Sequence, residues 1–349
     1  MFSAQRTRVG SGRRRPGRTL RPVLAAGIGG LLISCTPITA PVHKDSPRLA
    51  APTHGGASGH VYVTNQQDNT LSVIDAATYK VVATVPAGVA PEGVAVAKDG
   101  KHVYIANSGS ARVSVLDTKN NKIVKTVTVG KSPTGVGLSP DGKSLYVTNG
   151  SSNTVSVIDT RTNRVTATIP VGKSPVNVAF SPDGGTAYVA NSGSGNLSVI
   201  DTSTRRVARK LSAGRSPVGV AITPDGKSAY VADEVAARVL VVGTRSGKAT
   251  AVPVGEGPFD TAIGPGARFA YTAVLGPGNV SVIDIGNHHV VGTISLGPPG
   301  TDPFNLEVTN EAIYVTNQGA GTLTVIDPHS HKVVATVTLG DSPYGVAVS

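Results

Sequence analysis

The chain has 349 residues, 39% hydrophobic and 15% charged, with 42 glycines, 24 prolines, one cysteine, one methionine and no tryptophan. Aromatics are 4%, and glycine and proline are raised without a collagen triplet, so the class is turn-rich globular rather than disordered or fibrous. One cysteine excludes an intrachain disulfide, cysteine-clustered zinc, multi-thiolate iron–sulfur centres and covalent c-type haem, and the formal charge of +11 has to be divided along the chain before it points to any partner.

Residues 1–34 hold Arg6, Arg8, Arg13, Arg14, Arg15, Arg18 and Arg21 and no acid, leaving 25 bases against 21 acids downstream. The body is nearly balanced. The arginine block is followed by Val23 to Ser34, an uncharged run rich in Leu, Ile, Ala and Gly that ends at Cys35. A basic n-region with an apolar stretch too short to span a bilayer reads as a signal segment over 1–34. Leu32-Ile33-Ser34-Cys35 resembles the lipobox of bacterial lipoproteins, which implies lipidation of Cys35 and a membrane partner reached through it; an ordinary cleavage site beside an incidental cysteine is the alternative. The Arg13-Arg14-Arg15 run leaves Sec and Tat export both open. Residues 35–59, dominated by Pro, Ala, Thr, Ser, His and Gly, read as a flexible tether.

From residue 60 the chain is periodic. Tyrosine recurs at Tyr62, Tyr104, Tyr146, Tyr188, Tyr230, Tyr271 and Tyr314, in steps of 42, 42, 42, 42, 41 and 43. Aspartate keeps the same beat at Asp75, Asp117, Asp159, Asp201, Asp284 and Asp327, with Gly243 in the fifth slot. One unit contains four β-prone runs, A to D: Gly135 to Ser139, Ser144 to Asn149, Thr154 to Asp159 and Arg164 to Val171. Asp-Gly pairs beginning at Asp99, Asp141, Asp183 and Asp225 join A to B, where glycine accepts positive φ. Both faces of these strands are aliphatic or small, so each small sheet needs a neighbour on either side. Stacked in a ring, such units make a β-propeller, with the small-residue strand A innermost. Residues 60–349 divided by the period give seven blades. The first unit starts at strand B and the chain ends on an unpartnered strand A, Ser342 to Val348, which is expected to complete blade one and close the ring.

Tyr-Val-Thr-Asn, Ser-Val-Ile-Asp and Ser-Pro-Asp-Gly together are similar to the YVTN family of propeller repeats, including YncE-like and surface-layer-associated proteins. The resemblance covers residues 60–349 and is weakest in blade five, with Asp233-Glu234, and blade six, with Tyr271-Thr272-Ala273-Val274. It implies an all-β, seven-bladed, extracytoplasmic propeller without implying one chemistry.

Antiparallel geometry puts the D–A and B–C loops on one face and the A–B and C–D turns on the other. Ten acids are repeat features, in strand C ends and Asp-Gly turns, and Asp45 lies in the tether. Eight of the remaining ten, Asp68, Glu92, Asp233, Glu234, Glu256, Asp260, Asp302 and Asp341, fall on the D–A/B–C face. The D–A loops carry Lys131, Lys173 and Arg215 on one arc and Glu256 and Asp341 on the other, while strand A entrances supply Asn177, Asp260 and Asn305 beside Phe259, Phe304 and Tyr344. The blade-seven loop from Gly297 to Pro303 is longer than its counterparts and is expected to overhang the mouth. No histidine falls on this face, so a histidine-held metal or haem there, or a histidine general base, is disfavoured. His288, His289, His329 and His331 read as solvated turn residues.

These observations predict an exported, lipid-anchored, non-enzymatic scaffold that binds an unknown protein, a peptide or a small polar ligand through this mouth. No cofactor is expected, nucleic acid is disfavoured because three bases stand among acids, and a monomer suffices to cover the core. The alternative is a lactonase-like hydrolase with a divalent cation held by oxygen ligands from Glu92, Asp260, Asp302 and Asn305.

Overall fold

Alternating aliphatic strands separated by Asp-Gly and Asn-rich turns fold, in the computed structural model, into 28 strands grouped as seven four-stranded antiparallel sheets. The structure describes residues 59–349; the signal segment 1–34, Cys35 and nearly all of the 35–59 tether lie outside the described residues. Blade three runs as strand A (Pro133–Leu138), B (Ser144–Asn149), C (Thr154–Asp159) and D (Arg164–Pro170), within two residues of the sequence reading at each end. The Asp-Gly glycines take φ of 69, 73, 71 and 70° at Gly100, Gly142, Gly184 and Gly226, the left-handed region in which a side chain is strained.

Closure comes from the two ends of the ring. The last strand, Pro343–Val348, pairs antiparallel with the first, His60–Asn65, placing Val61 opposite Val348 and Val63 opposite Val346, so blade one is built from residues at both extremes. Each strand A then touches the strand A of both neighbours around the channel.

The hydrophobic core is distributed between blades. Tyr104, Val113, Val115 and Val127 of blade two pack with Leu145, Val147 and Ile158 of blade three, and the blade seven to blade one seam joins Tyr314, Leu323 and Val325 to Val61, Val63 and Ile74. The repeating tyrosine is fully buried in most blades, and its hydroxyl reaches the C–D turn of the next blade: Tyr104 to the Thr160 carbonyl (3.3 Å), Tyr230 to His288 Nδ1 (3.0 Å) and Tyr271 to His331 Nε2 (3.0 Å). His288 and His331 are therefore partners of buried hydroxyls, which corrects their reading as merely solvated turn residues; burial lowers the His331 pKa accordingly. The strand C aspartates cap their own turns, as in Asp159 Oδ1 accepting from Thr162 N (2.7 Å) and Thr162 Oγ1 (2.7 Å).

Blade five replaces the buried asparagine that ends strand B in five other blades with Asp233, which is fully buried. Its carboxylate accepts the Arg215 and Ser216 amides (2.8 and 2.9 Å) and pairs with Arg238 Nε at 3.0 Å. In five of the other blades asparagine stands at this position without charge, for example Asn149, which accepts from Gly130 N and donates to Ser156, and blade six has Val274. Asp233 is thus a framework residue of the rim. Arg238→Ala would leave a buried, unpaired carboxylate and is expected to cost about 2–4 kcal/mol, less than a fully buried pair because the arginine is partly solvated. The double change Asp233→Asn, Arg238→Thr installs the Asn/Thr pair of blades one, three and seven and should recover most of that loss in thermal denaturation.

Candidate functional site at the D–A mouth of the channel

Strand A begins with proline in every blade, and the A–B register slips immediately after it, as between Pro258 and Thr261 and between Pro303 and Leu306. Such a bulge re-aims the side chains at its extra residue, and here it serves positions two and three of strand A at the mouth. Position three is glycine at Gly93, Gly135, Gly219 and Gly345, but Asn177, Asp260 and Asn305 in the remaining blades. Position five is Ala or Gly in six blades and Glu307 in the seventh. The axis holds a cavity of about 500 Å³ whose lining includes Asn177, Asp260, Asn305, Glu307, Phe259 and Tyr344 and no lysine or arginine.

Two carboxyls sit in this channel. Asp260 is 6% exposed; its Oδ2 accepts the Leu306 amide (3.2 Å) and its Oδ1 faces Asn177 Nδ2 at 3.4 Å, across the blade that carries Gly219. A Cβ on Gly219 would stand 2.7 Å from Asp260 Oδ1, so glycine there keeps room for the carboxyl. Desolvation pushes Asp260 to about 7 in spite of those donors. Glu307 is open to the lumen but enclosed by the ring, and burial together with the Asp260 charge pushes it to about 7 as well.

Phe259 and Tyr344 line the same cavity and join Phe304 in an aromatic arc from three consecutive blades. Phe259 and Phe304 stack with centroids 3.6 Å apart at 27°, and Tyr344 lies 4.5 Å from Phe304, tilted by 60°. Beside the arc, the Tyr344 hydroxyl hydrogen-bonds Glu92, and Gln66 Nε2 donates to Glu92 Oε1 at 2.9 Å. Burial raises Glu92, while hydrogen bonds from Ser108, Gln66 and Tyr344 oppose the rise. Tyr344 is raised well above the ordinary phenol value by burial and by the fields of Glu92, Asp260 and Glu234, so it is a hydrogen-bond donor at neutral pH.

Of the residues singled out in the sequence, Glu92, Phe259, Asp260, Phe304, Asn305 and Tyr344 come together at the mouth and in the channel. Lys131, Lys173, Arg215, Glu256 and Asp341 are exposed on the outer rim of the same face. Asp302 is not in the channel: the blade-seven loop folds onto its own B–C turn, with Gln318 N bonded to the Asp302 carbonyl (2.8 Å) and the Asp302 carboxylate against Gly319. The loop expected to overhang the mouth is thus tied back, with Thr301 buried and bonded to the Pro298 carbonyl. Among the described residues no three His, Cys, Asp or Glu side chains converge to hold a metal ion. Glu307 escaped sequence reasoning, although it is the one residue that breaks the Ala/Gly rule at its position.

Seven four-stranded blades closed around a polar axial cavity define the class, a seven-bladed β-propeller. Residues 47–138 match the family described as YNCE-like beta-propeller, which bears out the resemblance read from the repeats, and the ring carries the same repeat on to its last strand. Among solved structures the chain is similar to hydrazine synthase of Kuenenia stuttgartiensis, at 25% identity and TM-score 0.64 over 79% of this chain and 91% of that one. It is also similar to the Pseudomonas aeruginosa periplasmic gluconolactonase PpgL, at 20% identity and TM-score 0.68 over 83% and 98%. Virginiamycin B lyase of Staphylococcus aureus gives 14% identity and TM-score 0.64 over 73% and 87%. The last two likenesses concern the fold alone. No curated protein matches the sequence.

Proposed function

We propose that the protein is an exported, lipid-anchored binding propeller whose D–A mouth takes a small ligand bearing a positive charge. The observation that carries this reading is that Phe259 and Tyr344, joined by Phe304 into an aromatic arc, line with Asp260 and Glu307 a channel that has no basic lining residue, with Glu92 bonded to Tyr344 beside it. Aromatic faces attract cations through their quadrupoles, and the carboxylates supply the countercharge. Export and anchoring rest on the basic and apolar stretches before Cys35. The ring covers its own core, which supports a monomer.

A lactonase-like hydrolase is the second reading. The fold shared with a gluconolactonase and the two near-neutral carboxyls speak for it, and the lack of converging metal ligands among the described residues speaks against its divalent cation.

Thermal denaturation of residues 59–349 with choline and with its neutral isostere 3,3-dimethylbutanol separates the outcomes. A saturable rise with choline alone, reduced by Glu92→Gln, is the expected result. A rise with calcium, magnesium, manganese or zinc that is lost in Asp260→Asn, with none for choline, would replace the binding reading with the hydrolase.

A further inference from the structure

The two faces of the ring differ in charge. On the A–B and C–D turns and outer strands D of blades two to five stand fifteen Lys and Arg against seven acids, whereas the same surfaces of blades six, seven and one carry three bases and four acids. Exposed members of the arc include Lys122, Arg164, Arg205, Arg206, Lys210 and Lys248.

The excess is not neutralised internally. Among the described residues, its ion pairs are those of Lys143 with Asp141 (3.7 Å) and Lys227 with Asp225 (3.5 Å), all well exposed. The strand C acids are turned into their own turns, as Asp201 is toward Ser203 and Thr204. Several bases reach instead for backbone carbonyls of an adjacent blade: Lys125 for Thr162 (2.8 Å), Arg205 for Thr166 (3.3 Å) and Arg209 for Arg245 (2.9 Å). A carbonyl fixes the position of a cation without cancelling its charge, so four blade ends form one continuous basic strip.

We propose that this strip is a docking surface for an anionic phospholipid bilayer. It is spread over four blade ends instead of lining a groove, and it presents no exposed aromatic ring on which a nucleic-acid base would stack. Both features match a planar polyanion better than a strand or duplex. Each Lys or Arg held near an anionic leaflet contributes about 1 kcal/mol. The acid-rich mouth lies on the opposite face, so the same field that attracts the strip turns the mouth away from the lipid. This docking does not depend on Cys35.

The test is co-sedimentation of the closed ring, residues 59–349, with vesicles of phosphatidylcholine alone or with about 30% phosphatidylglycerol. Binding is expected only to the anionic vesicles, and raising salt from about 0.1 to 0.5 M should abolish it. Arg164→Glu, Arg206→Glu and Lys210→Glu together should weaken it at least about tenfold, while the control pair Lys80→Glu, Lys332→Glu changes it less than about twofold. If the triple variant does not melt cooperatively, Arg206→Gln, Lys210→Gln carries the comparison, with a loss of about threefold or more expected. Equal binding to neutral vesicles, no binding at low salt, equal loss in the arc and control variants, or tighter binding to duplex DNA than to the vesicles would overturn the proposal.

Discussion

Deletion of residues 343–349 is expected to unfold the whole ring rather than trim its end. The strand they form is the inner strand of blade one, paired with His60–Asn65 and packed between the inner strands of blades two and seven. Its loss removes the buried Val346 and Ala347, strips cover from Val61, Val63, Tyr62 and Val94, and opens two of the seven inter-blade seams. The lost apolar burial and strand pairing together exceed about 5 kcal/mol, comparable to the net stability of an ordinary domain. Thermal and urea denaturation should show no cooperative transition for the shortened chain. A melt within a few degrees of the intact ring would mean that closure is not what holds the blades together.

The second large effect is a dependence of stability on pH set by the channel acids. Asp260 and Glu307 rise from ordinary values of 3.8 and 4.5 to about 7 in the folded ring. A carboxyl whose folded pKa is raised binds its proton more tightly in the fold than in the unfolded chain. Ionisation therefore opposes folding: stability is undiminished below about pH 4, falls as pH rises toward 7, and levels off above it. For Asp260 the loss is of order 4 kcal/mol; for Glu307, whose lumen-facing surface is solvated, the same shift is discounted to about 1–2 kcal/mol. At the acid end the turn aspartates act oppositely. Asp75, Asp141, Asp159, Asp183, Asp201 and Asp225 are held below their usual value by turn hydrogen bonds, so their contribution disappears as pH falls below about 4. The ring should be most stable near about pH 4, where the turn aspartates are still mostly ionised and the channel acids still protonated. Glu307→Ala, which installs the residue found in most other blades, should raise the melting temperature at pH 8 and leave it nearly unchanged at pH 4. An equal effect at both pH values would show that folding does not raise the Glu307 pKa.

Most of the architecture is legible in the sequence because it repeats. Seven in-phase tyrosines and the strand C aspartates fix the strand boundaries, and the offset between the first strand B and the last strand A foretells closure. The site is legible only where it breaks the repeat. Asp260, Asn305 and the three aromatics stand out against the Gly and Val of their counterparts, and the structure brings them together. Asp302 and Asp233 also depart from the pattern, yet one is tied to its own loop and the other to Arg238, since hydrogen bonds within a blade decide where a loop carboxylate points. Glu307 went unnoticed because inner and outer ends of strand A look alike in sequence, and only the ring shows that its fifth position faces the lumen.

Isothermal titration of residues 59–349 with choline at pH 5.5 and at pH 8.5 tests the central claim most directly, because it joins the aromatic arc to the two channel carboxyls. Asp260 and Glu307 are largely protonated at the lower pH and ionised at the higher. The account predicts binding at least about tenfold tighter at pH 8.5, and proton release on binding at pH 5.5 that disappears in the Asp260→Asn, Glu307→Gln double variant. Equal affinity at the two pH values, or tighter binding at pH 5.5, would contradict a cation site built on these acids.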